Sequence, residues 1–317
     1  MKTIHACVIA LMAFAAGSVP AQDFPSKPVR LVVPFPPGGP LDVAGRMISR
    51  ELQERWGQPV VVENKAGGSI GAESVAKAPR DGYTLMINGS SPFVTLPQMA
   101  RVGYDPIGDF VGVTQTTQSQ FALIAHAKSG FASLQQLVEE ARKAPGRLNY
   151  GSAGNGAGQH LYFELLKIAA GIDVTHIPYK GAAPAMQALV AGEVPLIFEN
   201  IITASSLVKS GRARVLMVTG SKPIEHLPGA IVFDSMFPGI GIQTWHGIFA
   251  PAGTPRPVLD KLAADIRYAL QVPGVVGRFG ELGIEPTGVS GDAFNAIIKS
   301  DFERWGEVIR KNKLRAD

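Results

Sequence analysis

The sequence almost lacks cysteine: Cys7 is the only one among 317 residues. No disulfide framework, thiolate nucleophile or cysteine zinc site can be built from it. An excess of charge is missing too. Thirty Lys and Arg stand against 26 Asp and Glu, a net +4 scattered without blocks of one sign. That balance excludes a nucleic-acid surface and leaves a mild attraction for small anions. Metal-ligand spacing is also absent. His126, His160, His176, His226 and His246 form no H-x-x-x-H or H-E-x-x-H pair, so no metal site is expected. What is plentiful is glycine, at 36, and proline, at 24, which marks many tight turns between short elements. The length suits about two domains, each able to bury a core.

The one sustained apolar run, residues 4–16, follows Lys2 and precedes Ser18-Val19-Pro20-Ala21. A membrane-spanning helix needs roughly 20 apolar residues, and Gly17 and Pro20 end this run too early. The pattern predicts an export signal over 1–21, removed near Ala21 to leave Gln22 first. Cys7 is lost with it, and a soluble periplasmic protein is expected.

Strand and helix signals then alternate, as in α/β folds with mostly parallel sheets. Val29–Val33 reads as a strand and 43–52 as a helix. Further strands are expected at 59–63, 83–87, 121–125, 174–177, 194–198, 215–219 and 245–250, and helices at 70–78, Leu134–Lys143, 255–270 and 292–310. One unit occurs twice, at 29–45 and 148–165: a strand, a glycine-rich turn and a helix start. Helix N-termini carry unpaired N–H groups and partial positive charge, so they bind anions. Glycine lets backbone approach a ligand closely.

Several motifs have plainer readings. Gly67-Gly68-Ser69-Ile70-Gly71 matches a nucleophile elbow, but the polar stretch 63–66 separates strand from serine, and Ser69 suits a helix cap. Gly154, Gly156 and Gly158 approach a dinucleotide fingerprint, with Asp173 at a ribose-acid distance, yet Gln159 stands where the third glycine belongs. No cofactor is expected. His160 is either a packing residue or a ligand contact. Asp42 is either a helix cap or a partner for a ligand amine.

With those residues in view, the chain resembles the extracytoplasmic solute receptors of tripartite tricarboxylate transporters, the Bug receptors. The resemblance covers essentially all of 23–317. It rests on Phe24-Pro25-Ser26-Lys27-Pro28-Val29-Arg30, Val33-Pro34-Phe35-Pro36-Pro37-Gly38-Gly39 with Asp42, and Asp81-Gly82-Tyr83-Thr84-Leu85. It continues through Tyr150-Gly151-Ser152-Ala153-Gly154 with His160-Leu161, Ile177-Pro178-Tyr179-Lys180-Gly181, and Trp245 with Phe249-Ala250-Pro251-Ala252-Gly253-Thr254-Pro255.

The resemblance implies a two-domain periplasmic-binding-protein (Venus flytrap) fold with ligand in the interdomain cleft. The expected domains are 22–122 with 230–317, and 123–229. In the family both glycine-rich loops hold a ligand carboxylate, largely through backbone groups and ordered water. Carried over, these are Phe35, Pro37, Gly38, Gly39, Pro40, Leu41 and Asp42 from the first loop. The second supplies Ser152, Ala153, Gly154, Asn155, Gly156, Ala157 and His160. Tyr179, Gly181, Ala182 and Glu199 should line the same cleft. Three positions depart from the family pattern: Ala157 replaces a common serine or threonine, Glu199 an aspartate, and Leu41 a small residue. Segments 92–97 and 200–206 are also atypical. A small mono- or dicarboxylate is therefore the expected ligand, with an aromatic body favoured by Phe35, Leu41 and Ala157. Membrane transporter subunits are the expected partners, and the receptor is expected to be monomeric and non-enzymatic. The competing readings are a periplasmic hydrolase using Ser69 and a sensory solute receptor.

Overall fold

The computed structural model describes residues 24–315, apart from 39, 66–68, 156, 221, 225–226, 238–243 and 282–283. The expected export segment and Cys7 lie outside the described residues. Among those described, no helix is long and apolar enough to cross a membrane.

The strands form two six-stranded sheets. The first holds β1 (Val29–Val33), β2 (Val60–Asn64), β3 (Thr84–Gly89), β4 (Phe110–Ser119), β11 (Thr244–Pro251) and β12 (Ile284–Pro286), in the order β12-β4-β11-β3-β1-β2. The second holds β5 (Phe121–His126), β6 (Asn149–Ser152), β7 (Thr175–Pro178), β8 (Leu196–Asn200), β9 (Ala213–Val218) and β10 (Ile231–Val232), in the order β10-β9-β5-β8-β6-β7. The chain therefore crosses between sheets twice, at Gln120 and between Val232 and Thr244.

Pairing is mixed, for a reason visible in those crossings. Strands joined by a helix pair in parallel: β1 with β2 and β3, and β6 with β7 and β8. The strand that opens each stay in a new sheet runs antiparallel to both its neighbours. These are β5 between β8 and β9, and β11 between β3 and β4. The mostly parallel sheets expected from the alternation are thus split by returning strands, β5 in the second sheet and β11 with edge strand β12, antiparallel to β4, in the first. This gives the two sheets corresponding plans, with β1 and β6 in equivalent inner positions. The two glycine-rich turns leave from those two strands.

The helices that position the site are α1 (Pro40–Trp56) after the first turn and α2 (Ser69–Ala76) after β2. A single π-helical turn, Ser91–Thr95, leads into α3 (Leu96–Met99). In the second sheet α4 (Leu134–Lys143), α5 (Gly158–Ala170), α6 (Ala182–Ala191) and α7 (Ile201–Lys209) cover the two faces. The short α8 (Phe233–Met236) lies on the second crossing. After it come α9 (Arg256–Gln271), α10 (Pro273–Glu281) and α11 (Gly291–Asn312).

β1 is apolar apart from Arg30, whose side chain reaches Thr84 and Glu63, because both its faces are otherwise covered. Leu31 and Val33 pack with Ile48, Leu52, Leu262 and Ile266 on one side. Val32 faces the other way, into a core that runs on through Phe249, Phe294 and Trp245 to Phe163, Phe198 and Leu123 of the second sheet. That shared core couples the two halves. Gly71 is fixed by packing rather than chemistry: a Cβ there would lie 2.7 Å from Cβ of Pro34. The glycine of the serine motif therefore serves the close approach of α2 to the end of β1.

Candidate functional site

Two adjoining cavities lie between the sheets. The larger, about 740 Å³, is lined from the first half by Phe35, Pro36, Pro37, Leu41, Asp42, Gly89, Ser90, Ser91 and Leu96, and from the second by Asn155, Ala157 and Gly158. The smaller, about 450 Å³, is lined by Gly38, Val43, Ser119 and Ile284 on one side and Phe121, Gly158, Gln159, Ala182, Glu199 and Asn200 on the other. Gly158, Thr244 and His246 line both, so they form the waist where the compartments meet.

The first loop is built around Asp42. Its carboxylate accepts the Gly38 N–H at 2.9 Å and the Arg46 Nε–H at 3.1 Å on Oδ2. Oδ1 accepts Asn64 Nδ2 at 2.9 Å and faces Arg46 Nη2 at 3.0 Å. Burial works to raise the Asp42 pKa. The Arg46, Gly38 and Asn64 hydrogen bonds outweigh it and hold the carboxyl below its usual value. Asn64 also donates to Phe35 O, at 3.1 Å, so one cluster ties the start of α1, the turn before it and the end of β2. Gly38 itself has φ +87°, a left-handed conformation that a β-carbon would strain by roughly 1–2 kcal/mol. Of the two roles open for Asp42, the observed contacts are those of a cap.

The second loop is held from behind. Ser152 Oγ lies 2.6 Å from Nε2 of His176 and accepts the Gly154 N–H at 3.1 Å. Tyr179 and Gly181 contribute backbone N–H groups, to Ser152 O at 2.9 Å and Ala153 O at 3.1 Å. Gln159 Oε1 accepts the Ala153 N–H at 3.2 Å. Behind them His160 stacks on His176 at 4.1 Å, and His176 on Tyr150 at 4.9 Å. Tyr150 donates to Glu164, which also takes Lys167 Nζ at 2.9 Å. Ala157 caps α5 without a side-chain hydrogen bond. The positive end of this helix therefore opens at the waist without a capping side chain at Ala157, and the hydroxyl of Tyr162, one turn on, hydrogen-bonds to Thr244 there.

Of the residues expected at the site, Phe35, Pro37, Gly38, Leu41, Asp42, Asn155, Ala157, Ala182 and Glu199 line the compartments. Ser152, Ala153, Gly154, His160, Tyr179 and Gly181 line neither and support the second loop from behind. Gly39, Gly156 and the side chain of Pro40 lie outside the described residues. Ser69 opens α2 and lines neither compartment. Sequence reasoning missed Ser90, Ser91, Leu96, Gln159, Thr244 and His246. The sequence signals nearest them were the second glycine loop around Gln159, the strand at 245–250 with Trp245, and the atypical segment 92–97.

Among the described residues lining the compartments none is a lysine or arginine. Burial lowers His246 to a pKa of about 4, and its Nδ1 lies 3.0 Å from Thr117 Oγ1. It is neutral at pH 7. Any anion here must be met by backbone N–H groups, helix ends and hydroxyls. No cluster of metal-ligating side chains is present among the described residues.

Burial also lowers His176 to about 4, so both imidazoles are far below the usual 6.5. As pH falls from 6.5, the unfolded chain takes up these protons first, and stability present above 6.5 is lost between 6.5 and 4. The melting temperature should fall across that window and fall less steeply in His246→Gln. A flat profile from 6.5 to 4.5 would contradict buried neutral imidazoles.

The Tripartite tricarboxylate transporter family receptor pattern matches residues 44–314. A Pseudomonas sp. (strain P51) protein from the tcbD–tcbE intergenic region is 39% identical over 313 residues, covering 96% of this chain and 93% of that one. The structure of the periplasmic binding protein BugD superposes with a TM-score of 0.73 at 32% identity, covering 93% of this chain and 100% of that one. An R. palustris protein solved with adipate superposes at 0.76 and 31% identity, over 93% of this chain and 100% of its own. The two-sheet α/β architecture is that of the periplasmic binding proteins, and the chain belongs to the tripartite tricarboxylate transporter receptor family.

Proposed function

We propose that this protein is a non-enzymatic periplasmic receptor that captures a small carboxylate between its two halves and delivers it to the membrane subunits of a tripartite tricarboxylate-type transporter. The two halves act as lobes hinged at the two crossings, so the first lobe ends at about Gln120 rather than 122 and the second extends through Val232 rather than 229. The observation that carries the reading is the waist of the cleft. The uncapped N-terminus of α5 meets Thr244 and a neutral His246 there, an arrangement that offers donors to one oxyanion. The adipate-bound neighbour supports an acid as ligand. The larger compartment, walled by Phe35, Pro36, Leu41, Leu96 and Ala157, suits an apolar body beyond the carboxylate.

A melting screen tests this. A ligand bound only by the native state stabilises by about 2.7 kcal/mol at a hundred times its dissociation constant. At roughly 2–4 °C per kcal/mol that is a shift of about 5–10 °C. Citrate, aliphatic acids, acidic amino acids, nicotinate and benzoates should be run beside their amides or alcohols. At least one acid should shift the melt while its uncharged analogue does not. Shifts with sugars or amides and none with any acid would overturn the carboxylate reading.

A further inference from the structure

The smaller compartment contains a carboxyl that the loop scaffold does not use. Glu199, at the end of β8, is 7% exposed and lines this compartment with Gly38, Gln159 and Ala182. Among the described residues its one hydrogen-bond partner is the N–H of Asn200, at 2.8 Å to Oε1. No cation among the described residues is paired with it. Asp42, the other acid of the cleft, differs in every respect, because Arg46, Asn64 and Gly38 occupy its oxygens. A buried, uncompensated carboxyl keeps an acceptor oxygen for a donor and repels a second anion. Burial raises the Glu199 pKa, partly offset by the Asn200 N–H, which fits a group with no counter-charge. The adjoining α7 terminus has its own cap, since Asn200 Oδ1 accepts the Ile202 N–H at 2.9 Å.

We propose that Glu199 is the specificity residue of this cleft: it accepts a hydrogen bond from a hydroxyl at the far end of the bound acid and excludes acids that carry a second carboxylate there. The inference rests on the receptor reading above, with the first carboxylate at the waist. It assigns this protein to hydroxylated monocarboxylic acids and sets it against dicarboxylates. A site that hydrogen-bonds a ligand hydroxyl also discriminates strongly against analogues that leave its buried group unpaired.

The test is titration calorimetry with matched pairs: 6-hydroxyhexanoate against adipate, and 4-hydroxybenzoate against terephthalate. In the wild-type protein the hydroxy acid of at least one pair should bind about 30-fold tighter than its diacid, a difference of about 2 kcal/mol. Glu199→Gln keeps the shape and removes the charge, so the ratio should shrink to about threefold, mainly because the diacid binds better. Glu199→Ala should shrink it by weakening the hydroxy acid instead. Diacids that bind the wild type as tightly as hydroxy acids would overturn the proposal, as would a ratio unchanged in Glu199→Gln, while leaving the receptor reading intact. If neither these acids nor hexanoate and benzoate bind, the carboxylate reading itself fails and this one falls with it. Should a variant fail to fold, the wild-type ratio alone decides.

Discussion

Trp245→Ala should lower the melting temperature by roughly 6–20 °C. Trp245 is 1% exposed, packs edge-on to Phe294 at 5.3 Å and lies 6.1 Å from Phe249. Its Nε1–H donates to Asp301 at 2.7 Å. Truncating a buried tryptophan costs about 3–5 kcal/mol, and each kcal/mol is worth about 2–4 °C in chains of this size. The substitution also leaves buried Asp301 short of a donor. Since Thr244 and His246 flank Trp245 at the waist, ligand affinity should fall with stability. Trp245→Phe separates the two contributions. It keeps most of the packing, so a loss of only about 1–2 kcal/mol is expected from the missing hydrogen bond. Thermal melts of the three proteins decide this. A shift under 3 °C for Trp245→Ala would show that the shared core is not closed around this residue.

Asp42→Ala should weaken carboxylate binding by about 30-fold or more. The Gly38 N–H, Asn64 and Arg46 all depend on that one carboxylate, and hydrogen bonds to charged groups contribute about 1.5–3 kcal/mol each. Arg46 is half exposed and recovers water when its partner is lost, so a stability loss of about 2–3 kcal/mol is expected rather than the full sum. The larger effect falls on the ligand, because the strained turn at Gly38 is no longer pinned. Asp42→Asn retains an acceptor for Gly38 and should lose less on both counts. Calorimetry with any acid found in the melting screen measures the difference. Tighter binding by Asp42→Asn would show that the Asp42 charge opposes the ligand more than its cap helps it.

The sequence carried more of the fold than of the cleft. β1, β3, β5, β8 and β11 are apolar runs bounded by turns, and glycine-rich turns after β1 and β6 mark the loops directly. β4 escaped because its centre is polar: Thr114, Gln115, Thr116 and Thr117 are all buried. Their groups are satisfied locally, Thr116 Oγ1 by His246 O at 3.2 Å and Thr117 Oγ1 by the His246 ring. No alternation of apolar residues announces such a strand. The π-helical turn at Ser91–Thr95 has no period to read in five residues, though Thr95 Oγ1 bonding back to Ser91 O at 2.6 Å helps stabilise it. His160 could be read either way from its place after the second loop. Its ring stacks on His176, a partner in β7 that no local pattern names. The waist unites residues near 158 and 244–246, and only the crossing of the chain between sheets brings them together.

The central claim is that a carboxylate sits at this waist, met by the N-terminus of α5 from one half and by Thr244 and His246 from the other. Amide chemical-shift mapping on labelled protein tests it most directly. Titration with an acid from the melting screen should move the amides of Gly38, Gly158, Gln159 and His246 together and saturably, while its amide analogue leaves them in place. Shifts confined to another surface, such as the groove lined by Arg256, Arg267 and Asp292, with the waist unmoved, would contradict the account.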